Sequence, residues 1–300
     1  VSTNDALALA AASDADDPVA DRDRLLHGLP ITIKDGIHVA GWPSTGGVLD
    51  PAQARATEDA ANVQQLRGAG AIVIGKTNVP VANADWQTVN PRFGRTTNPY
   101  DPARTSGGST GGGAAAVATG LSVAELGSDI GGSIRIPAAC CGVVGFKPSY
   151  EAVSREGVWA LAWSLDHIGP LARTVDDAAL SFEAMAALRP GSVSGHRIDR
   201  PRLIRPAPFF FDHLDDVIRT HIDGVLGKLT GAGATLEERY VEGVEYAPST
   251  QWMTLASEAC QSNWELLLNK PEGISADVRL RLEVGQFVGA IDYIKAQRLR

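Results

Sequence analysis

Two glycine-rich loops that also carry serines stand a helix and a strand apart in this chain. They are Ser106-Gly107-Gly108-Ser109-Thr110-Gly111-Gly112-Gly113 and Asp129-Ile130-Gly131-Gly132-Ser133-Ile134-Arg135. Glycine clusters weaken helices and strands, so loops of this composition present the backbone itself. Bare N–H groups beside a serine hydroxyl are what acyl transfer requires, because an oxyanion must be held while a nucleophile attacks. A base is needed as well, and Ile31-Thr32-Ile33-Lys34-Asp35-Gly36 offers a lysine at the end of a short apolar strand. A serine hydroxyl is a weak nucleophile until a neighbour takes its proton. A lysine can do so only when neutral, so its pKa must fall by about three units through burial or a nearby positive group. The combination predicts a serine hydrolase that works without a catalytic histidine.

Two other pattern matches fail on their context. Gly70-Ala71-Ile72-Val73-Ile74-Gly75-Lys76-Thr77 fits the phosphate-loop spacing. That motif needs an exposed loop around phosphate, and Ala-Ile-Val-Ile is a buried strand instead. Gly107-Gly108-Ser109-Thr110-Gly111 fits the nucleophile elbow, which must follow a hydrophobic strand. Here the proline-broken Asn98-Pro99-Tyr100-Asp101-Pro102 precedes it, and Asp166-His167 is the one tempting acid–histidine pair. Adjacent residues do not face one another on a regular element. His27, His38, His196, His213 and His221 are scattered without ligand spacing, and no Cys/His cluster suggests zinc. No metal and no cofactor is expected.

The elements that must position these loops alternate. Apolar runs at 29–33 and 71–74 read as buried strands, with a helix over 57–67 between them, capped by Thr57 and stopped by Gly68. An alanine-rich helix over 110–119 ends at Gly120. Residues 121–126 and 142–146 read as strands, and 173–187 as a helix capped by Thr174. The proline-rich 189–208 reads as a connection, with a short strand at 203–204. Amphipathic spacing predicts a helix over 212–229, then a strand over 235–241 and helices over 250–268 and 286–299. Strands alternating with helices predict an α/β fold around a parallel or mixed sheet, in one continuous domain.

Of the 300 residues, 44% are apolar and 21% charged, an ordinary globular composition. A net charge of -8 argues against nucleic acid or an anionic membrane as partner. No window approaches the roughly 18 apolar residues of a membrane span. The first 17 residues lack the basic start and apolar core of a secretory leader. Three cysteines, two of them adjacent at Cys140 and Cys141, make a poor disulfide framework and predict a reducing, cytoplasmic location. A start at Val1 and an end inside a predicted helix suggest a fragment lacking N- and C-terminal parts.

Read together, the motifs closely resemble the amidase signature family. The resemblance rests on 28–35 with Gly41, on Gly75-Lys76-Thr77-Asn78, on both glycine–serine loops, on Cys141-Gly142-Val143-Val144-Gly145-Phe146-Lys147-Pro148-Ser149 and on Ser164-Leu165-Asp166-His167-Ile168-Gly169-Pro170. They occur in family order over 28–170, with a core signature region of 28–187 and a single incomplete domain across 1–300. The resemblance implies a central mixed sheet flanked by helices on both sides. It implies a Ser–cis-Ser–Lys triad, with Ser133 the nucleophile, Ser109 the bridging serine on a cis peptide after Gly108, and Lys34 the base. The amides of Ile130, Gly131, Gly132 and Ser133 would form the oxyanion hole. Asp129 and Arg135 would be a buried pair bracing that loop. Thr110 stands where the family often has a second serine, and His167 matches a family position read as structural.

By the same resemblance the activity is cleavage of a carboxamide C–N bond through an acyl-enzyme, on a small-molecule substrate and with room for a homodimer. The alternative is the glutaminase (A) subunit of a tRNA-dependent amidotransferase. There the loop usually carries Thr where this chain has Ile130, and often Gln where it has Ile136, so these two positions favour the stand-alone amidase. Pocket walls are expected from 86–93, 159–163 and parts of 209–283, which leave the particular amide open.

Overall fold

The computed structural model describes residues 24–49, 55–195, 197–207 and 209–300. The reading of the first 17 residues therefore lies outside the described residues. Strand β1 (Pro30–Lys34) is followed by helix α1 (Ala61–Gly68), β2 (Ile72–Thr77) and a small antiparallel pair, β3 (Val89–Asn90) and β4 (Gly94–Arg95). Then come α2 (Gly111–Ala118), β5 (Ala124–Asp129), α3 (Arg135–Cys141), β6 (Val144–Gly145), β7 (His167–Ala172) and α4 (Val175–Met185). The main sheet has the order β2-β1-β5-β7-β6. β1 runs parallel to both β2 and β5, while β7 runs antiparallel to β5 and β6. The sheet is mixed, as the sequence predicts, and helices pack on both of its faces.

Alternation along the strands separates the two layers. Ile31 and Ile33 of β1 and Leu126 of β5 join Val63 and Leu66 of α1, Ile168 of β7 and Met185 of α4 in one apolar cluster. The intervening Thr32 and Lys34 turn away from that cluster, as does Glu125, which pairs with Thr32. A second cluster collects Ala114, Ile134, Ala138 and Leu171. A charged end on β1 therefore emerges inside the protein.

Several elements differ from the sequence expectation. Thr57 caps nothing: α1 starts at Ala61, because the amides of Ala60 and Ala61 are taken by the carbonyls of His38 and Glu156. β5 spans Ala124–Asp129 rather than 121–126 and so runs into the second glycine–serine loop. β7 has no counterpart in the sequence expectation, and it contains Gly169 and Pro170, which are poor strand formers; here the Pro170 carbonyl accepts from the Phe146 amide at 3.0 Å. In α4, Thr174 caps as expected, accepting from the Asp177 amide at 3.0 Å.

The chain divides into two compact units. One is Val1–Ser194 with Leu255–Val288, and the other is Gly195–Thr254 with Gly289–Arg300. The first division falls within the proline-rich 189–208 connection. The second unit holds β8 (Arg202–Pro206), α5 (Asp216–Gly231) and β9 (Thr235–Arg239), with β8 and β9 parallel. The predicted 250–268 helix is two, α6 (Ala247–Ser262) and α7 (Trp264–Asn269), and α8 (Ala276–Glu283) precedes α9 (Ala290–Leu299). No helix among the described residues is long and apolar enough to cross a membrane.

Candidate active site

Lys34 is the last residue of β1 and is fully buried. Its Nζ lies 2.7 Å from Ser109 Oγ, 2.9 Å from Ser128 Oγ and 3.4 Å from the Ser128 carbonyl oxygen. Burial pushes its pKa from 10.5 down to about 7, against the opposing pull of Asp129, Glu125 and Asp166. Near neutral pH much of this amine is thus unprotonated and able to accept a proton.

Ser109 is also fully buried, and the peptide joining it to Gly108 is cis. Thr110 follows, donating its hydroxyl to the Ser128 carbonyl at 3.3 Å and its amide to the Ser133 carbonyl at 3.2 Å. The second bond stitches the two glycine–serine loops together. Ser133 joins the Lys34–Ser109 pair through this backbone link and is 6% exposed.

Asp129, the last residue of β5, organises the second loop. Its carboxylate accepts from the amides of Gly132 (2.8 Å), Ile134 (3.0 Å) and Arg135 (3.3 Å). It also takes a two-pronged bond from Arg135, through Nε at 3.1 Å and Nη2 at 2.8 Å. Burial alone would raise its pKa, but the Arg135 bonds and the loop amides hold it below the usual carboxylate value. Gly132 sits at φ +117°, where a side chain would be strained and would also strike Ile136.

Two expectations need correction here. The Asp129–Arg135 pair is only half buried, with Asp129 enclosed and the Arg135 side chain 53% exposed. The guanidinium turns its Nε–Nη2 edge to the acid. The Gly132 amide, assigned in advance to the oxyanion hole, is already committed to Asp129. The amides of Ile130, Gly131 and Ser133 donate to no acceptor among the described residues.

This geometry separates the two partners' contributions. Asp129→Asn puts an amide N–H₂ against donors and leaves a loop N–H or the guanidinium unmatched, an expected loss of about 3 kcal/mol. Arg135→Ala leaves Asp129 with three backbone donors and should destabilise less. Urea unfolding of the two variants checks the order; an equal or larger loss in Arg135→Ala would refute it.

Two residues near the lysine were missed from sequence. Ser128 accepts from Lys34, and its place follows from β5 continuing past 126 through Gly127 and Ser128. Glu125 is fully buried on the same strand. Other residues weighed beforehand are structural here. Asp166 accepts from the amides of Leu161 and Ala162, both at 3.2 Å, and His167 Nδ1 lies 2.6 Å from the Leu165 carbonyl. Burial pushes the Cys141 thiol up to about 11, far from a thiolate nucleophile. Trp159 packs in an apolar cluster with Ile130, Val81 and Leu161, whereas Trp163 is exposed. No group of His, Cys, Asp and Glu suited to a metal occurs among the described residues.

A buried lysine hydrogen-bonded to a serine on a cis peptide, beside a second serine among free amides, brings together the groups that acyl transfer requires. The family model described as Amidase matches residues 1–288, and this chain belongs to the amidase family. It is 36% identical to the glutamyl-tRNA(Gln) amidotransferase A subunit of Koribacter versatilis, over 100% of this chain and 70% of that protein. It is 37% identical to an amidase of Pseudomonas putida, over 92% of this chain and 61% of that one. The solved structure of an amidase superposes with a TM-score of 0.85 at 34% identity, over 99% of this chain and 72% of its own. The peptide amidase of Stenotrophomonas maltophilia gives 0.80 at 26% identity, over 98% and 69%. Among the first curated relatives, the chain spans between 48% and 70% of their length.

Proposed function

We propose that this chain hydrolyses a linear carboxamide through an acyl-enzyme on Ser133. The observation that carries the reading is Lys34, fully buried and with its pKa brought to about 7, hydrogen-bonded at 2.7 Å to Ser109 on the loop stitched to Ser133. Ser133 Oγ attacks the carbonyl carbon while its proton passes through the Ser109 hydroxyl to Lys34. The oxyanion is received by the amides of Ile130, Gly131 and Ser133, each worth about 3–4 kcal/mol in comparable sites. The intermediate collapses as the C–N bond breaks, and the departing nitrogen takes the proton back from Lys34 by the same route. Water then attacks the ester, giving the carboxylic acid and free Ser133. Ammonia or an amine is the other product.

A base that must be neutral gives a rate that rises with pH through the lysine's pKa. The expected profile of ammonia release therefore climbs through about pH 7. A limb near pH 10 would mean that Lys34 is not desolvated during turnover. Ser109→Ala removes the proton relay but keeps the nucleophile, and should cut the rate on the order of 10²- to 10³-fold.

The apolar Ile130, packed against the same cluster as Trp159, and Ile136 on the same segment support an enzyme acting on its own amide substrate. The second reading, a glutaminase subunit of a tRNA-dependent amidotransferase, is favoured by the identity to the Koribacter versatilis protein. Ammonia release by the chain alone from aliphatic and aromatic carboxamides is the expected result. Activity on glutamine alone, and only with partner subunits, would establish the second reading instead.

A further inference from the structure

Strand β5 carries a buried acid that the proposed reaction does not use. Glu125 pairs across the sheet with Thr32 of β1, two residues before Lys34, and is fully buried. Its Oε1 accepts from Thr77 Oγ1 at 2.5 Å, and Thr77 is the residue paired with Lys34 across β1 and β2. The Thr32 hydroxyl, on the facing residue of β1, also acts on this carboxyl and favours its ionised form. A Cβ at Gly113 would overlap this carboxyl, so α2 opens with glycine where the acid stands. Glycine in a helix costs roughly 1 kcal/mol relative to alanine. Burying a carboxyl costs more again. A role in packing alone explains neither cost.

The charges around this acid are all in place on neighbouring strands. Lys34 of β1 and Lys76 of β2 act on Glu125. Asp129 at the end of β5 and Asp166 before β7 also act on Lys34, and Asp35 acts on Lys76. Burial raises Glu125 to about 7 and lowers Lys34 to about 7, so the acid and the amine exchange protons over the same range. Groups related in this way titrate as a pair.

We propose that Glu125 is a positioning residue for Lys34, and that the charge on its carboxyl, seated between Thr77 and Gly113, sets the pH at which Lys34 becomes a base. This rests on the reading of Lys34 as the base for Ser133. An ionised Glu125 holds the proton on Lys34, and a protonated Glu125 releases Lys34 to act at lower pH.

The test is the pH dependence of labelling the full chain with a fluorophosphonate probe. Ser133 Oγ forms a bond to phosphorus, fluoride leaves, and the serine proton goes to the base. Glu125→Gln keeps the shape and removes the charge, so the rising limb should move to lower pH by on the order of one unit. Thr77→Val withdraws a hydrogen bond that favours the ionised acid, and should move the limb the same way by less. A purely structural Glu125 would lower the labelling rate at every pH and leave the limb in place. An unmoved limb in both variants overturns the proposal, and Thr77→Val decides it if Glu125→Gln does not fold. Ser133→Ala labelled at the wild-type rate would overturn the triad reading itself, a separable outcome.

Discussion

Ser133→Ala should stay folded and lose amide turnover on the order of 10⁴- to 10⁶-fold. The residue sits on a loop whose shape is fixed by other groups. Asp129 gathers the amides of Gly132, Ile134 and Arg135, and Thr110 holds the Ser133 carbonyl. Deleting one hydroxyl removes none of these bonds. The loss should appear in kcat, since the free amides of Ile130 and Gly131 would still receive the substrate oxygen. A thermal melt within a few degrees of wild type, with ammonia release near background, is the expected pair of measurements. Wild-type turnover in the variant would remove Ser133 from the chemistry.

Lys34→Met should be nearly as damaging, by on the order of 10⁴-fold, for a different reason. The nucleophile survives but nothing takes its proton. This variant also has a stability signature with a definite sign. Lys34 has a folded pKa of about 7 against an unfolded value near 10.5, so between these pH values the unfolded chain binds more protons. Stability from this group therefore rises as pH increases from about 7 to about 10. Lys76, pushed down to about 8, adds to the upper part of the same rise. Lys34→Met should flatten the increase without abolishing it, read as urea unfolding free energy at pH 7 and pH 10. An unchanged slope would mean that the wild-type lysine is not held neutral by burial.

What could be read in advance follows a physical division. Lys34 and Ser109 could be singled out because glycine around a hydroxyl and a lysine ending an apolar strand are visible in sequence, and the two side chains meet at 2.7 Å. Ser128 and Glu125 could not, since a serine and a glutamate on a strand carry no pattern of their own. Their places come from the register that sets β5 against β1. The Gly132 amide was misassigned because a sequence cannot say which donors a neighbouring carboxylate will occupy. The same limit applies to the burial of Arg135, which depends on where the surface falls. α1 begins after its apparent cap because loop carbonyls, distant in sequence, take its first amides. β7 contradicts the propensity of Gly169 and Pro170, and tertiary pairing wins.

In the proposed reaction Ser133 is the nucleophile and Lys34 the base that activates it. Reaction of the full chain with a fluorophosphonate, followed by peptide mass spectrometry, tests it most directly. One phosphonylated residue, Ser133, is expected, with labelling lost in Ser133→Ala and strongly slowed in Lys34→Met at pH 7. Label on Ser109 or on a cysteine, or labelling at an undiminished rate in Lys34→Met, would contradict it.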